Sequence, residues 1–259
     1  MKFIKHPSHP IYLLSHAIVF MFGILIIVFS NFAGLSEWTK LILFGVGTSL
    51  VAAGITGWVV YTYVKSSEQF ATAISIVAKF GILNVFSGRS VKIREEYDGR
   101  MRYFKKQVDI LGFGLNSFRQ DNLSFIPVWK QQGSIRILLI DPEFPNEEFS
   151  FANQRDREEN DPQQTISRQV RQFASEAAKY IEKERFEIRL YKCLPMLNLY
   201  RIDDEILWGP YLIKESSRNT PTFLVRSGGE IFERIVRHFE TIWNDDQLSR
   251  EVPISWYQE

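Results

Sequence analysis

Two long apolar runs near the start constrain this chain more than anything else in it. Residues 11–30 are interrupted only by Ser15, His16 and the terminal Ser30, and residues 41–64 carry no charged side chain. Each reaches the roughly 20 residues that take a helix across about 30 Å of hydrocarbon at 1.5 Å per residue. A connector of residues 31–40, with Gly34 and Glu37, separates them, so they are expected to form a helical hairpin. The first run is too long for the apolar region of a signal peptide, and no small-x-small cleavage site follows it. Lipid bilayer is therefore the first expected partner.

Lys2 and Lys5 precede the first run, the connector holds one lysine and one glutamate, and Lys65, Lys79, Arg89, Lys92 and Arg94 follow the second. By the positive-inside bias, both termini are expected in the cytoplasm, as a multi-pass protein of a bacterial inner membrane. A single cysteine, Cys193, fits a reducing compartment without a disulfide framework. In the second run Gly45, Ser49, Ala53 and Gly57 recur every four residues. Such a face admits a second helix closely, either the first helix of the same hairpin or that of another protomer in a homo-oligomer.

The division expected is a hairpin over 1–65, a connector and first strand over 66–92, and a cytoplasmic domain over 93–259. With a net charge of +1 there is no global basic field to suggest nucleic acid. Short apolar runs at 81–86, 108–113, 135–140, 186–191, 197–202, 205–208 and 222–226 are expected strands. The last pair but one is joined by a tight turn at Asp203–Asp204. Helices are expected over 93–106, briefly around 125–131, along the face Ile166, Val170, Phe173, Ala174, Ala177 and Ile181, and over 231–243. Residues 114–117 and the pattern Gly112-x-Gly114 are expected to be a turn, and the charged stretch 142–164 a long mobile loop. Interleaved strands and helices give an α/β class, a mixed sheet flanked by helices.

The succession VDILGFG, SIRILLIDPEFP, a helix, FEIRLYKCLPMLNLYRIDDEILWGPYL, TFLVRSGG and IFERIVRHFETIW resembles the phospholipase D-like fold over about residues 81–244. It looks most like a degenerate single-copy bacterial branch of that superfamily. The family works through H-x-K-x4-D: a histidine attacks phosphorus, a second protonates the leaving oxygen, and lysines hold the phosphate charge. Counting back from Asp203 puts Met196 and Asn198 in the histidine and lysine positions; from Asp204 they are Leu197 and Leu199. Neither register supplies a nucleophile. His238 has Asp245 seven residues on, but Glu240 stands in the lysine position and the segment reads as helix. No catalytic residue, cofactor or metal set is therefore assigned. Asp203, Asp204 and Glu205 are explained more simply by turn chemistry than by a cation, and Cys193 by burial.

The resemblance implies that strand ends converge where a phosphate would lie. There Asn116, Ser117, Asn198, Tyr200, Arg201 and Arg226 are the candidate ligand-binding residues, for a nucleotide or another phosphorylated small molecule. The expected function is a non-enzymatic membrane sensor or effector whose hairpin oligomerises or perturbs the bilayer. Bacterial anti-phage systems, which join such hairpins to sensing domains, supply an architectural analogy. The alternatives are a membrane-tethered phosphodiesterase with a divergent site, acting on phospholipid or nucleic acid, and a membrane scaffold.

Overall fold

The computed structural model describes residues 9–32, 34–87, 91–216 and 219–257. Lys2, Lys5 and Arg89, on which part of the orientation argument rests, lie outside them. The chain parts into two compact units, residues 1–75 and 76–259.

The first unit is made of α1 (His9–Ser30) and most of α2 (Glu37–Phe80). Both are long and apolar enough to cross a membrane, by length and composition. Their most apolar windows are only 11% buried, unlike the core helix of a soluble protein. α2 starts earlier than the hydropathy implied because the Ser36 hydroxyl accepts from the Thr39 N–H at 3.3 Å, as an N-cap does. It also runs past residue 64, since residues 65–80 hold neither glycine nor proline. Gly81, at φ +71°, then ends it in the left-handed conformation usual after a helix. The expected small-residue face divides. A Cβ at buried Gly54 would lie 2.8 Å from the Cβ of Phe20, and Gly57 sits against the His16 ring, so these two face α1. A Cβ at Gly45 would meet nothing within 4 Å, and Ser49 and Ala53 are exposed. The close seam of the hairpin is therefore carried by Gly54, Gly57 and the unanticipated Gly23 and Gly47, not by Gly45, Ser49 and Ala53.

In the second unit β1 (Ile82–Phe86), α3 (Val91–Tyr103), β2 (Gln107–Gly112), α4 (Asn116–Asn122), α5 (Ile126–Trp129) and β3 (Ser134–Ile140) follow in order. They are succeeded by α6 (Phe151–Glu159), α7 (Thr165–Ala177), β4 (Phe186–Tyr191), β5 (Leu197–Ile202), β6 (Glu205–Pro210), β7 (Thr222–Arg226), α8 (Glu230–Asn244) and β8 (Ser249–Glu251). The strands form one mixed sheet in the order β1-β7-β6-β5-β2-β3-β4-β8. β2, β3 and β4 are parallel and joined by helical crossovers; the other pairings are antiparallel. β3 lies among covered strands, which is why its run IRILLI is almost continuously apolar.

The pairing register sorts the two faces. Tyr200 opposes Ile110, and Ile110 opposes Ile137. On that face Tyr200 meets Tyr97 of α3 and Phe118 of α4, and Phe118 stacks on Phe173 of α7. On the other face Asp109 stands between its cross-strand neighbours Arg136 and Arg201. Its carboxylate accepts from Arg136 Nε at 2.8 Å and from an Arg201 terminal nitrogen at 3.3 Å. Arg136 continues to Glu240 of α8 at 2.6 Å, and Arg201 lies 5.5 Å above the Phe232 ring. Burial alone would lower the Arg136 pKa, but its bonds to Glu240 and Asp109 outweigh that and raise it.

Four expectations are corrected. The domain does not start at 93: the expected first strand, β1, is the edge strand of its sheet, hydrogen-bonded to β7, and residues 66–80, expected as a connector, continue α2. Of the expected turn, residues 113–115 are non-helical, but Asn116 and Ser117 open α4, because packing of Phe118 and Arg119 offsets the weak helix formers of NSFRQDN. Stretch 142–164 is not one loop: it contains α6, capped by the Ser150 hydroxyl on the Asn153 N–H and closed by Asn160 at φ 58°. α7 stops at Ala177, before Ile181.

Asp109→Ala leaves two half-buried guanidinium groups without their shared carboxylate. Urea unfolding is expected to show a loss of about 3 kcal/mol. A loss under about 1 kcal/mol would mean that the pairing does not hold the sheet to α8.

Candidate ligand-binding cleft

A cleft of about 320 Å³ opens past the carboxyl end of β2, where β5 begins and β6 ends. Open α/β sheets characteristically bind ligands at the carboxyl ends of their parallel strands, and the volume is at the small end of ligand sites. Four of the six expected residues line it: Asn116, Ser117, Asn198 and Tyr200. Arg201 does not, because its odd position in β5 turns it to the Asp109 face. Arg226 pairs across strands with Glu205, at the far end of the hairpin from Asn198. The two cations expected to hold a phosphate are thus outside the cleft.

Each lining residue is placed by a specific contact. The Asn116 side-chain Oδ1 accepts from Arg119 at 3.0 Å, and Arg119 is held by Glu176 at 2.6 Å. Tyr200 is set edge-on against Tyr97, with centroids 4.7 Å apart. Asn198 opposes Gly209 across the β5–β6 pair, so no side chain comes from that neighbour. It is 4% exposed, and among the described residues its amide meets no hydrogen-bond partner.

The structure adds Arg155, Glu159, Asp161, Gln169, Tyr211 and Ser216 to the lining. Arg155, from α6, is buried against Phe113 and Tyr211, 5.8 and 5.3 Å from their centroids. Its terminal nitrogens donate to the carbonyls of Leu212 and Glu215 at 2.9 and 2.6 Å and pair with Glu159 at 2.6 Å. Its Nε is buried without a partner among the described residues. Sequence reasoning missed this set because α6 has no apolar periodicity: its inner face is Ala152, Arg155 and Asp156. Ser150 and Asn160, ten residues apart, were the capping signals that marked it.

Behind the cleft, buried Asp156 accepts from the Ile166 N–H at 3.1 Å and so caps α7, whose own N-cap Gln164 makes no side-chain bond. Burial pushes the Asp156 carboxyl above the usual aspartate range. Its backbone hydrogen bonds offset part of this, and Asp161 and Glu159 add to it.

The strand bearing the phospholipase D-like resemblance presents positions 198 and 200 to the cleft together, since alternate residues share a face. Seven residues beyond Asn198 is Glu205, bound to Arg100. This register reads N-x-Y-x4-E and also holds no nucleophile. Met196 is exposed, while Leu197 and Leu199 belong to the opposite face. His238 is half-buried on α8 with its pKa lowered by burial, and burial likewise raises the Cys193 thiol. Asp203 accepts from the backbone N–H groups of Lys105, Lys106 and Gln107 at 2.8, 2.8 and 3.1 Å, a turn-fixing role.

No protein-family model matches the chain, and no curated protein matches it. Among solved structures it is similar to the archaeal chromatin protein TrmBL2, at 10% identity and a TM-score of 0.43, covering 79% of this chain and 70% of that one. It is also similar to phosphatidylserine synthase of Haemophilus influenzae Rd KW20, at 13% identity and a TM-score of 0.42, covering 65% of this chain and 39% of that one. Neither similarity speaks to ligand or activity.

A carboxyl group whose pKa is raised on folding adds stability below its unfolded value, and that stability is lost as pH rises through the folded one. Asp156→Asn keeps an acceptor for the Ile166 N–H and removes the buried charge. The variant is expected to gain on the parent in urea midpoint between pH 4 and pH 8. A constant difference across that range would show that Asp156 is not the titrating group.

Proposed function

We propose that this chain is a membrane-anchored binding protein. In this reading α1 and α2 span a bilayer, and the α/β unit holds a small polar molecule without turning it over. The lysine and arginine bias supports a cytoplasmic position for that unit. The order of strands and the place of β5 support descent from a phospholipase D-like site that kept its cleft and lost its nucleophile.

The observation that carries the reading is Asn198. Its side chain is almost wholly enclosed, meets no protein hydrogen-bond partner among the described residues, and opens only onto the cleft. A position used only for packing would be served better by leucine. At the mouth of a cleft, on the strand face where the resemblance puts catalysis, the same amide is available to a ligand. Among the described residues no histidine lines the cleft beside it, and Tyr200 is enclosed by aromatic rings.

Two measurements on the full chain in detergent test this. Asn198→Leu is expected not to lower the thermal unfolding midpoint, because no hydrogen bond within the protein is lost with the amide. The parent protein is expected to hydrolyse no bis-p-nitrophenyl phosphate above buffer. A fall in the midpoint would make Asn198 a structural residue and sink the binding reading. Hydrolysis abolished by Asn198→Leu would establish a phosphodiesterase instead.

A further inference from the structure

The chemical class of the molecule can be read from charges that the sequence did not bring together. Of the cleft's charged side chains, Arg155 is taken up by Glu158, Glu159 and the carbonyls of Leu212 and Glu215. Asp161 remains, exposed at the mouth and, among the described residues, without a cation in ion-pair reach. Its backbone N–H is tied to the Asp156 carbonyl at 2.8 Å, which holds the carboxylate in place at the start of the turn before α7. With Arg155 matched to Glu159, the lining carries one net negative charge. A phosphate entering here would face uncompensated carboxylate and would need Arg155 to abandon four acceptors.

We propose that the cleft takes a small organic cation, an amine-bearing molecule whose ammonium group meets Asp161 and whose inner end is hydrogen-bonded by Asn198. This rests on the binding reading above and replaces a phosphorylated ligand with one of opposite charge. Acidic residues alone would be only a solvated edge. What makes this a site is the second, independent observation of Asn198, buried and unpartnered, aimed into the same cavity. Its carbonyl oxygen and that of Gln169 can accept from an amine, and the Ser216 and Ser117 hydroxyls can do the same.

The test uses the full chain in nanodiscs of phosphatidylcholine, whose zwitterionic surface gives polyamines no anionic lipid to bind. Spermidine, AMP and inorganic phosphate are titrated separately by calorimetry. Spermidine is expected to bind saturably, about tenfold more weakly to Asp161→Asn, an exposed substitution that leaves the fold intact. Asn198→Leu is expected to abolish the binding, and Arg226→Ala, outside the cleft, to leave it unchanged. Three results would overturn the assignment: no spermidine binding to the parent, spermidine binding indifferent to both cleft variants, or AMP or phosphate binding lost in Asn198→Leu. The last would leave the binding reading standing with an anionic ligand, whereas that reading itself fails only on the stability and hydrolysis results given for it.

Discussion

The α/β unit depends on one buried carboxylate. Asp109, 1% exposed in the middle of β2, is flanked in register by an arginine on each neighbouring strand, and each arginine also reaches α8. Slipping either pairing by one residue would turn an arginine to the opposite face and strand the carboxylate in a low-dielectric interior. The same triad selects which helix covers that face, since Arg136 lies over the rings of Phe239 and Trp243 while bound to Glu240. Hydrophobic burial supplies the driving force for the sheet, and this network decides its register.

The two ends of the β5–β6 hairpin contrast sharply in how their polar groups are treated. At the turn, Asp203 sits at φ 52° with both carboxylate oxygens accepting backbone N–H groups, Asp204 reaches Lys106 and Glu205 reaches Arg100. At the other end, the Asn198 amide has no protein partner among the described residues and opens onto the cleft, and the nearby Arg155 keeps one unpaired nitrogen. Folded chains tolerate such groups where something other than folding uses them. The hairpin is thus stabilised from its turn end and left open at the cleft end.

Much of the architecture was legible beforehand because it follows from periodicity. Strands such as residues 135–140 and 186–191, and the inward faces of α7 and α8, announce themselves by apolar spacing that tertiary contacts then respect. The failures share a cause. α4 and α6 are short, polar helices whose burial is carried by Arg119, Arg155 and Asp156, side chains that a hydropathy pattern assigns to solvent. In the hairpin, the regular spacing of Gly45, Ser49 and Ala53 was the more visible pattern. The seam nevertheless formed on Gly47 and Gly54, where the backbones come too close for a Cβ.

The candidate site divides along the same line. The four residues Asn116, Ser117, Asn198 and Tyr200, which the phospholipase D-like resemblance had pointed to, do line one cleft. Arg201 and Arg226 were grouped with them by residue type, and only strand register separated them. The sequence by itself determined two bilayer-length helices, an α/β unit and a β5 strand without a nucleophile, because length, hydropathy and residue identity are local properties. Which charges surround the cleft was decided only by tertiary structure, because alternation along β5 and the docking of α6 bring together residues that no spacing in the chain connects.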